Sequence, residues 1–245
     1  MRATRATKAQ TFCGQRHPVP NQAFSPFPWG RISHAAGLIA MTFMLQLSPP
    51  QGTLRAQAAD THFASLPQNI APLRAVGGAN ELPAWRSFCD RHPIECRVDQ
   101  REAETIPLTP GIWDLLMSVN REVNASFIPM TDMEQWGVVD SWDFPRTGYG
   151  DCEDYQLLKR RMLADAGLPR RAMRMTVVLD ERNEGHAVLK IMTDRGPFIL
   201  DNVTDTILPW DETPYTYIKR EGHDNTGWVS LGGIAASPSA VAAMR

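Results

Sequence analysis

The chain has 245 residues, 43 % of them hydrophobic and 21 % charged, with a formal net charge of −2. That composition suits one globular domain with extra termini, large enough to bury a core without staples. No basic excess marks a nucleic-acid surface, so nucleic acid is excluded as a partner class.

Residues 1–58 read as a secretory signal peptide. They hold no Asp or Glu and carry Arg2, Arg5, Lys8, Arg16, Arg31 and Arg55. The apolar stretch Ala35–Leu45 falls short of the roughly 18–20 residues of a spanning helix. Ala56-Gln57-Ala58 gives a small-x-small cleavage pattern, so the mature chain is expected in the periplasm, starting near Ala59. Cleavage removes six of the 25 cations and none of the 27 acids, leaving a mature charge near −8. Cys13 leaves with the leader, and Cys89, Cys96 and Cys152 enter an oxidising compartment. Cys89 and Cys96, seven apart across Pro93, can reach each other, so a disulfide is expected there with Cys152 free. Two unpaired thiols are the alternative; a metal pair with His92 matches no zinc spacing.

Residues 59–82 are Ala/Gly/Pro-rich and expected to be loose, with structure beginning at Pro83. Over 110–128 the recurrence of Trp113, Leu116, Val119, Asn120 and Val123 predicts a helix. Asn120, Asn124 and Asp132, along or just past that face, read as internal hydrogen-bonding residues. Residues 131–150 form an aromatic-rich loop with Trp136, Asp140 and Trp142. A second helix should start at Asp151 as N-cap, with Asp154 in its first turn. Its expected apolar stripe is Tyr155, Leu158, Met162 and Ala166, and Gly167 and Pro169 end it. Strands are predicted over Met173–Asp180, His186–Thr193 and Phe198–Val203, with the turn Asp194-Arg195-Gly196-Pro197 between the last two. One more strand is expected in 207–230, and 231–245 reads as a flexible tail. Helices followed by an antiparallel sheet make the class α+β.

The chemistry concentrates at Cys152, His186 and Asp201, in that chain order. They read as a nucleophile, its base and the group that orients the base. Cys152 falls in the first turn of a helix, where the dipole lowers a thiol pKa. Asp151, Glu153 and Asp154 work against that unless something neutralises them. A bound Ca²⁺ fits their hard oxygens; carboxylates that cap the helix and face solvent are the alternative. The backbone N–H of Cys152 is a natural oxyanion donor, with the indole of Trp142 or Trp136 as a second.

The words around these residues carry a resemblance. Asp140-x-Trp142, Gly150-Asp151-Cys152-Glu153-Asp154-Tyr155, Gly185-His186-Ala187-Val188-Leu189, Leu200-Asp201-Asn202 and Pro209-Trp210-x-x-Thr213-x-Tyr215 together resemble the bacterial transglutaminase-like cysteine proteinases. The resemblance covers about residues 83–230. It implies a papain-like or transglutaminase-like core, with the nucleophile helix packed on an antiparallel sheet. Cys152, His186 and Asp201 match the family triad, and Asp151 and Glu153 match positions that bind Ca²⁺ in one branch; no organic cofactor is implied. That branch clips large surface adhesins and is held by a membrane receptor sensing cyclic di-GMP. The expected activity is an exported cysteine endopeptidase acting through a thioester. The alternatives are a transglutaminase or amidase on the same triad, and a catalytically silent Ca²⁺-dependent binding module.

Overall fold

The structure, a computed structural model, describes residue 13 and residues 63–224 and 227–236. Apart from Cys13, the leader expected over 1–58 lies outside the described residues, as does the tail beyond Ala236. Among the described residues no helix is long and apolar enough to cross a membrane.

Five α-helices are described: α1 (Pro83–Arg91), α2 (Pro93–Cys96), α3 (Pro110–Ser126), α4 (Asp132–Gln135) and α5 (Cys152–Asp165). Proline opens α1, α2 and α3, where its missing N–H is no loss. The Cys89–Cys96 disulfide joins α1 to α2 with the Cα atoms 5.6 Å apart, as the spacing predicted. Thr109 caps α3 by accepting from Ile112 N at 3.3 Å. That helix buries Trp113, Leu116, Val119, Asn120 and Val123, the expected stripe. A capping box between Thr131 and Glu134 starts α4.

Nine strands follow the same order: β1 (Gly77–Ala79), β2 (Ile128–Pro129), β3 (Tyr149–Gly150), β4 (Met173–Leu179), β5 (Gly185–Thr193), β6 (Gly196–Leu200), β7 (Leu208–Pro209), β8 (Thr216–Glu221) and β9 (Trp228–Ala235). Seven of them form one antiparallel sheet in the order β1-β9-β8-β4-β5-β6-β7, and β2 pairs with β3 in parallel. The β5–β6 register sets Leu189 opposite Leu200, so the chain leaves β6 beside Val188, two residues from His186. The β5–β6 turn needs Gly196: its φ is +110°, and a Cβ there would lie 2.6 Å from Ile70.

Three expectations change. The stretch from 207 to 230 holds β7, β8 and the start of β9 rather than one strand, and most of β9 lies in the expected tail. Residues 59–82 include β1, and Leu66, Ile70 and Leu73 from the same stretch are buried. Helix α5 does not bury a simple apolar stripe: Leu158 and Met162 are half-buried and Ala166 is exposed, whereas Glu153, Asp154, Gln156, Lys159 and Arg160 are buried. The reason is position, since α5 packs on β4 and β5 on one side and on α3 on another. A helix covered on most sides must bury polar groups, and they persist only with partners.

Candidate active site

Helix α5 sets Cys152 at its first position, with Asp151 as the flanking cap residue. The N–H of Ala187, on β5, donates to Cys152 Sγ at 3.1 Å. Next along β5, His186 is buried, with Nε2 2.9 Å from Asp201 Oδ1. With Nε2 committed to the carboxylate, Nδ1 is the nitrogen left for the sulfur. A ring nitrogen of His186 lies within 4.8 Å of Cys152 Sγ. The three residues predicted from the sequence are therefore brought together.

Asp201 follows the last residue of β6 rather than sitting inside a strand. There its backbone is free to turn, and its carboxylate collects donors. Oδ1 also accepts from Val203 N at 3.1 Å, and Oδ2 accepts from the Tyr215 hydroxyl. Burial pushes the Asp201 pKa up, but the charge of His186 and hydrogen bonds from His186, Tyr215 and Val203 outweigh it and hold it at about 2. Burial and the Asp201 charge raise the pKa of Tyr215, so its hydroxyl stays a donor. Asn124 Nδ2 donates to Asp201 O at 3.0 Å, and Asn120 Nδ2 donates to Thr204 O and Asp205 O at 3.2 Å each, fixing the loop after β6. With its amide turned to satisfy both ends, Gln156 donates to Leu200 O at 3.3 Å and accepts from Asn202 N at 3.2 Å. The helix of the nucleophile is thereby tied to the loop of the acid. Tyr215 closes the Pro209-Trp210-x-x-Thr213-x-Tyr215 word, and its hydroxyl holds the Asp201 carboxylate.

The acidic residues close in more than the sequence suggested. Asp132, Asp140 and Glu153 each place a carboxylate oxygen within 4.8 Å of the other two. Asp151 Oδ2 accepts from Asp132 N at 3.2 Å, so Asp151 does not cap α5 with its side chain. Asp154 Oδ1 accepts from Asp143 N at 3.0 Å. Asp151 Oδ1 and Glu153 Oε1 are buried without a partner. Burial, reinforced by like charges, pushes the pKa of Glu153 and Asp154 well up and that of Asp151 to about 7. Burial likewise raises Asp132 to about 6. Of the expected ligand set, Glu153 alone belongs to the converging trio; Asp151 and Asp154 are buried beside it, and none of the three faces solvent. Asp132, expected as an internal hydrogen-bonding residue, and Asp140 join Glu153 instead, and no metal-ligand spacing in the chain marks either of them.

Two further expectations are corrected. The Trp142 indole is buried and donates to Asp140 Oδ1 at 3.0 Å, so it is not an oxyanion donor. Trp136 follows α4 and is 56 % exposed. Cys152 is the first residue of α5, so its backbone N–H is one of the donors without an intrahelical partner at the helix N-terminus. Cys152 is expected to be free once the leader is gone; in the full-length chain the Cys13 side chain lies against it, and Cys13 N donates to Gly185 O at 3.0 Å. Glu153 Oε2 lies 3.3 Å from Cys152 Sγ, close enough that an ionised, unpaired Glu153 would oppose a thiolate.

No curated protein matches the chain. Among solved structures, calcium-bound Legionella pneumophila LapG aligns at 24 % identity and TM-score 0.44, over 55 % of this chain and 81 % of that one. A second LapG structure from the same organism aligns at 25 % identity and TM-score 0.41, over 51 % and 70 % of the two chains. An EGTA-treated form aligns at 24 % and 0.41, over 53 % and 74 %. A sequence profile described as "Bacterial transglutaminase-like cysteine proteinase BTLCP" matches residues 76–235, from the start of the sheet to its last strand. The match spans every element that positions Cys152, His186 and Asp201, and the chain belongs to the bacterial transglutaminase-like cysteine proteinase family.

Proposed function

We propose that this cysteine peptidase cleaves a peptide bond with Cys152 as nucleophile, His186 as base and Asp201 as the group that orients the base. One observation carries the reading: His186 sits between a carboxylate 2.9 Å from Nε2 and a thiol sulfur within 4.8 Å of the ring. His186 Nδ1 takes the thiol proton, and the sulfur attacks the substrate carbonyl carbon to give a tetrahedral oxyanion. The backbone N–H of Cys152 faces that oxyanion at the helix N-terminus. The C–N bond breaks as His186 protonates the leaving amine, and a thioester remains on Cys152. His186 then deprotonates water, which attacks the thioester and releases the acid. Asp201 stays ionised throughout and stabilises the imidazolium.

The carboxylate cluster fits a hard cation. Asp132, Asp140 and Glu153, with Asp151 beside them, would hold Ca²⁺, and the partnerless Asp151 Oδ1 and Glu153 Oε1 are ready ligands. Bound there, the ion neutralises the negative field around Cys152. In this reading the enzyme is exported and residues 1–58, Cys13 among them, are removed, so the mature enzyme carries Cys152 as a thiol. The substrate is a protein. A large surface adhesin, and a receptor that senses cyclic di-GMP as partner, extend the reading on the strength of the motif resemblance alone.

The test uses leader-free protein. Iodoacetamide should label Cys152, and Cys152→Ala should lose cleavage of a candidate surface protein while keeping its melting temperature. Cleavage by Cys152→Ala at the wild-type rate would sink the mechanism. Incorporation of an amine in place of water would assign the same triad to acyl transfer.

A further inference from the structure

A second polar site lies under the far end of α5. Arg160 is two turns along the helix from Cys152, about 12 Å at 1.5 Å per residue. It borders a cavity of about 110 Å³ lined also by Arg174, Arg170, Glu221, Trp85 and Cys96. Arg174 on β4 stands directly opposite Lys190 on β5, and Thr176 stands opposite Arg220 on β8. Side chains of paired residues share a face, so Arg174, Lys190 and Arg220 gather on one side of the sheet. Arg160, Arg174, Lys190 and Arg220 are all at least nine-tenths buried.

The acids nearby do not balance them. Glu221 accepts from Arg160 NH1 at 2.5 Å, from Trp85 Nε1 at 2.6 Å and from Met175 N at 3.0 Å. Glu95 is held by Arg170 at 2.5 Å and faces Arg161 at 3.7 Å. Four buried donors remain without partners beside the cavity: Nε and NH2 of Arg160, and Nε and NH2 of Arg174. Nε of Arg220, on the neighbouring strand and outside the cavity lining, is also without a partner. A guanidinium cannot escape this by losing a proton at neutral pH, and each orphaned charged donor costs more than an ordinary unmade hydrogen bond. The field of the cluster shows in its neighbours. Burial lowers the Lys190 pKa well below its usual value, and Arg220 and Arg174 lower it further. Burial also brings Arg174 down to about 10, with Arg160 and Arg220 adding to the fall and Glu221 opposing it.

We propose that this cavity is a binding site for a small inorganic oxyanion, phosphate or sulfate, held by Arg160 and Arg174. Planar guanidinium forks match tetrahedral oxyanions bidentately, and Arg160 and Arg174, which both line the cavity, each keep an Nε/NH2 edge without a partner. The volume suits an anion with a water or two, at about 30 Å³ per water, and is too small for an organic cofactor. Helix α5 then carries an acidic, cation-seeking cluster at its start and a cationic, anion-seeking cluster toward its end. The site also ties α5 to β4, and through Glu221 to β8. The proposal does not depend on the cleavage reading, because binding is read without turnover.

The experiment titrates inorganic phosphate into the full chain by calorimetry at constant ionic strength, with chloride as control and sulfate as second anion. Saturable binding of phosphate and sulfate is expected, with no response to chloride. At about a hundredfold excess over Kd the melting temperature should rise by roughly 5–10 °C. Arg174→Met, close in shape but without the fork, should weaken binding at least tenfold. Arg174→Lys, which keeps the charge and loses the Nε/NH2 edge, guards against a folding defect and should also weaken it. Absence of saturable binding to the wild-type chain, or phosphate affinity unchanged in both variants, would overturn the site and assign the cavity to water.

Discussion

The hydroxyl of Tyr215 is the most direct handle on the proposed triad. Tyr215→Phe removes one oxygen and keeps the ring, whose centroid lies 5.5 Å from that of His186. Asp201 Oδ1 keeps its bonds from His186 and Val203, but Oδ2 loses the Tyr215 donor. The carboxylate is buried, so Oδ2 cannot turn to bulk water. A lost hydrogen bond to a buried charged group costs about 1.5–3 kcal/mol. At roughly 2–4 °C per kcal/mol for a chain of this size, the melting temperature should fall by about 3–12 °C. The same energy should raise the Asp201 pKa by about one to two units from its value near 2, so Asp201 stays ionised at pH 7 and activity is reduced rather than abolished. A double-mutant cycle with Asp201→Asn isolates the pair. A coupling energy above about 1 kcal/mol is expected, because the two side chains touch. If the two substitutions add within about 0.5 kcal/mol, Tyr215 does not support Asp201 and the reasoning fails.

The pH dependence follows from the same carboxylate. Its pKa is depressed from 3.8 to about 2 on folding, so its contribution is complete above pH 4 and is lost as pH falls toward 2. That contribution is about 2 kcal/mol, so acid melts of Asp201→Asn should fall less steeply between about pH 4 and 2 than those of the wild type. Replacing Cys89 and Cys96 together by Ser should cost about 2–3 kcal/mol in denaturant melts and leave the chain folded, since the closed loop is short. Unchanged stability would show that the bridge constrains nothing. Asp132→Asn and Asp140→Asn should each weaken Ca²⁺ binding at least tenfold by calorimetry, about 1.4 kcal/mol apiece. Undiminished binding would place the cation elsewhere.

Cys152, His186 and Asp201 were legible because each sits in a distinctive local word, and the β5–β6 hairpin that unites two of them has its turn written as Asp-Arg-Gly-Pro. The α3 stripe was legible because that helix buries one face, which is what a 3.6-residue period records. Helix α5 was misread because it is enclosed, and an enclosed helix carries its information in pairings such as Arg160–Glu221, 61 residues apart, that no period reveals. Asp132, at the start of α4, and Asp140, in the irregular loop after it, reach Glu153 from far along the chain, so no spacing announced them. Asp201 was assigned inside a strand because Phe198–Val203 is apolar around it; the chain turns at Asp201 so that its carboxylate can gather His186, Tyr215 and Val203. Cys13 was set aside with the leader, and nothing local in its sequence points to Cys152.

The two borders of the large sheet are its shortest members: β1 has three residues and β7 has two. An open border of unpaired N–H and C=O groups is a template on which any extended chain can add a strand. An enzyme that takes extended polypeptide as substrate meets such chains constantly. Borders this brief offer too few hydrogen bonds to hold one, so substrate cannot park along the sheet as a nonproductive extra strand. The same limit meets a second copy of the chain at these two borders, while β4 and β5, the strands nearest Cys152 and His186, lie inside the sheet.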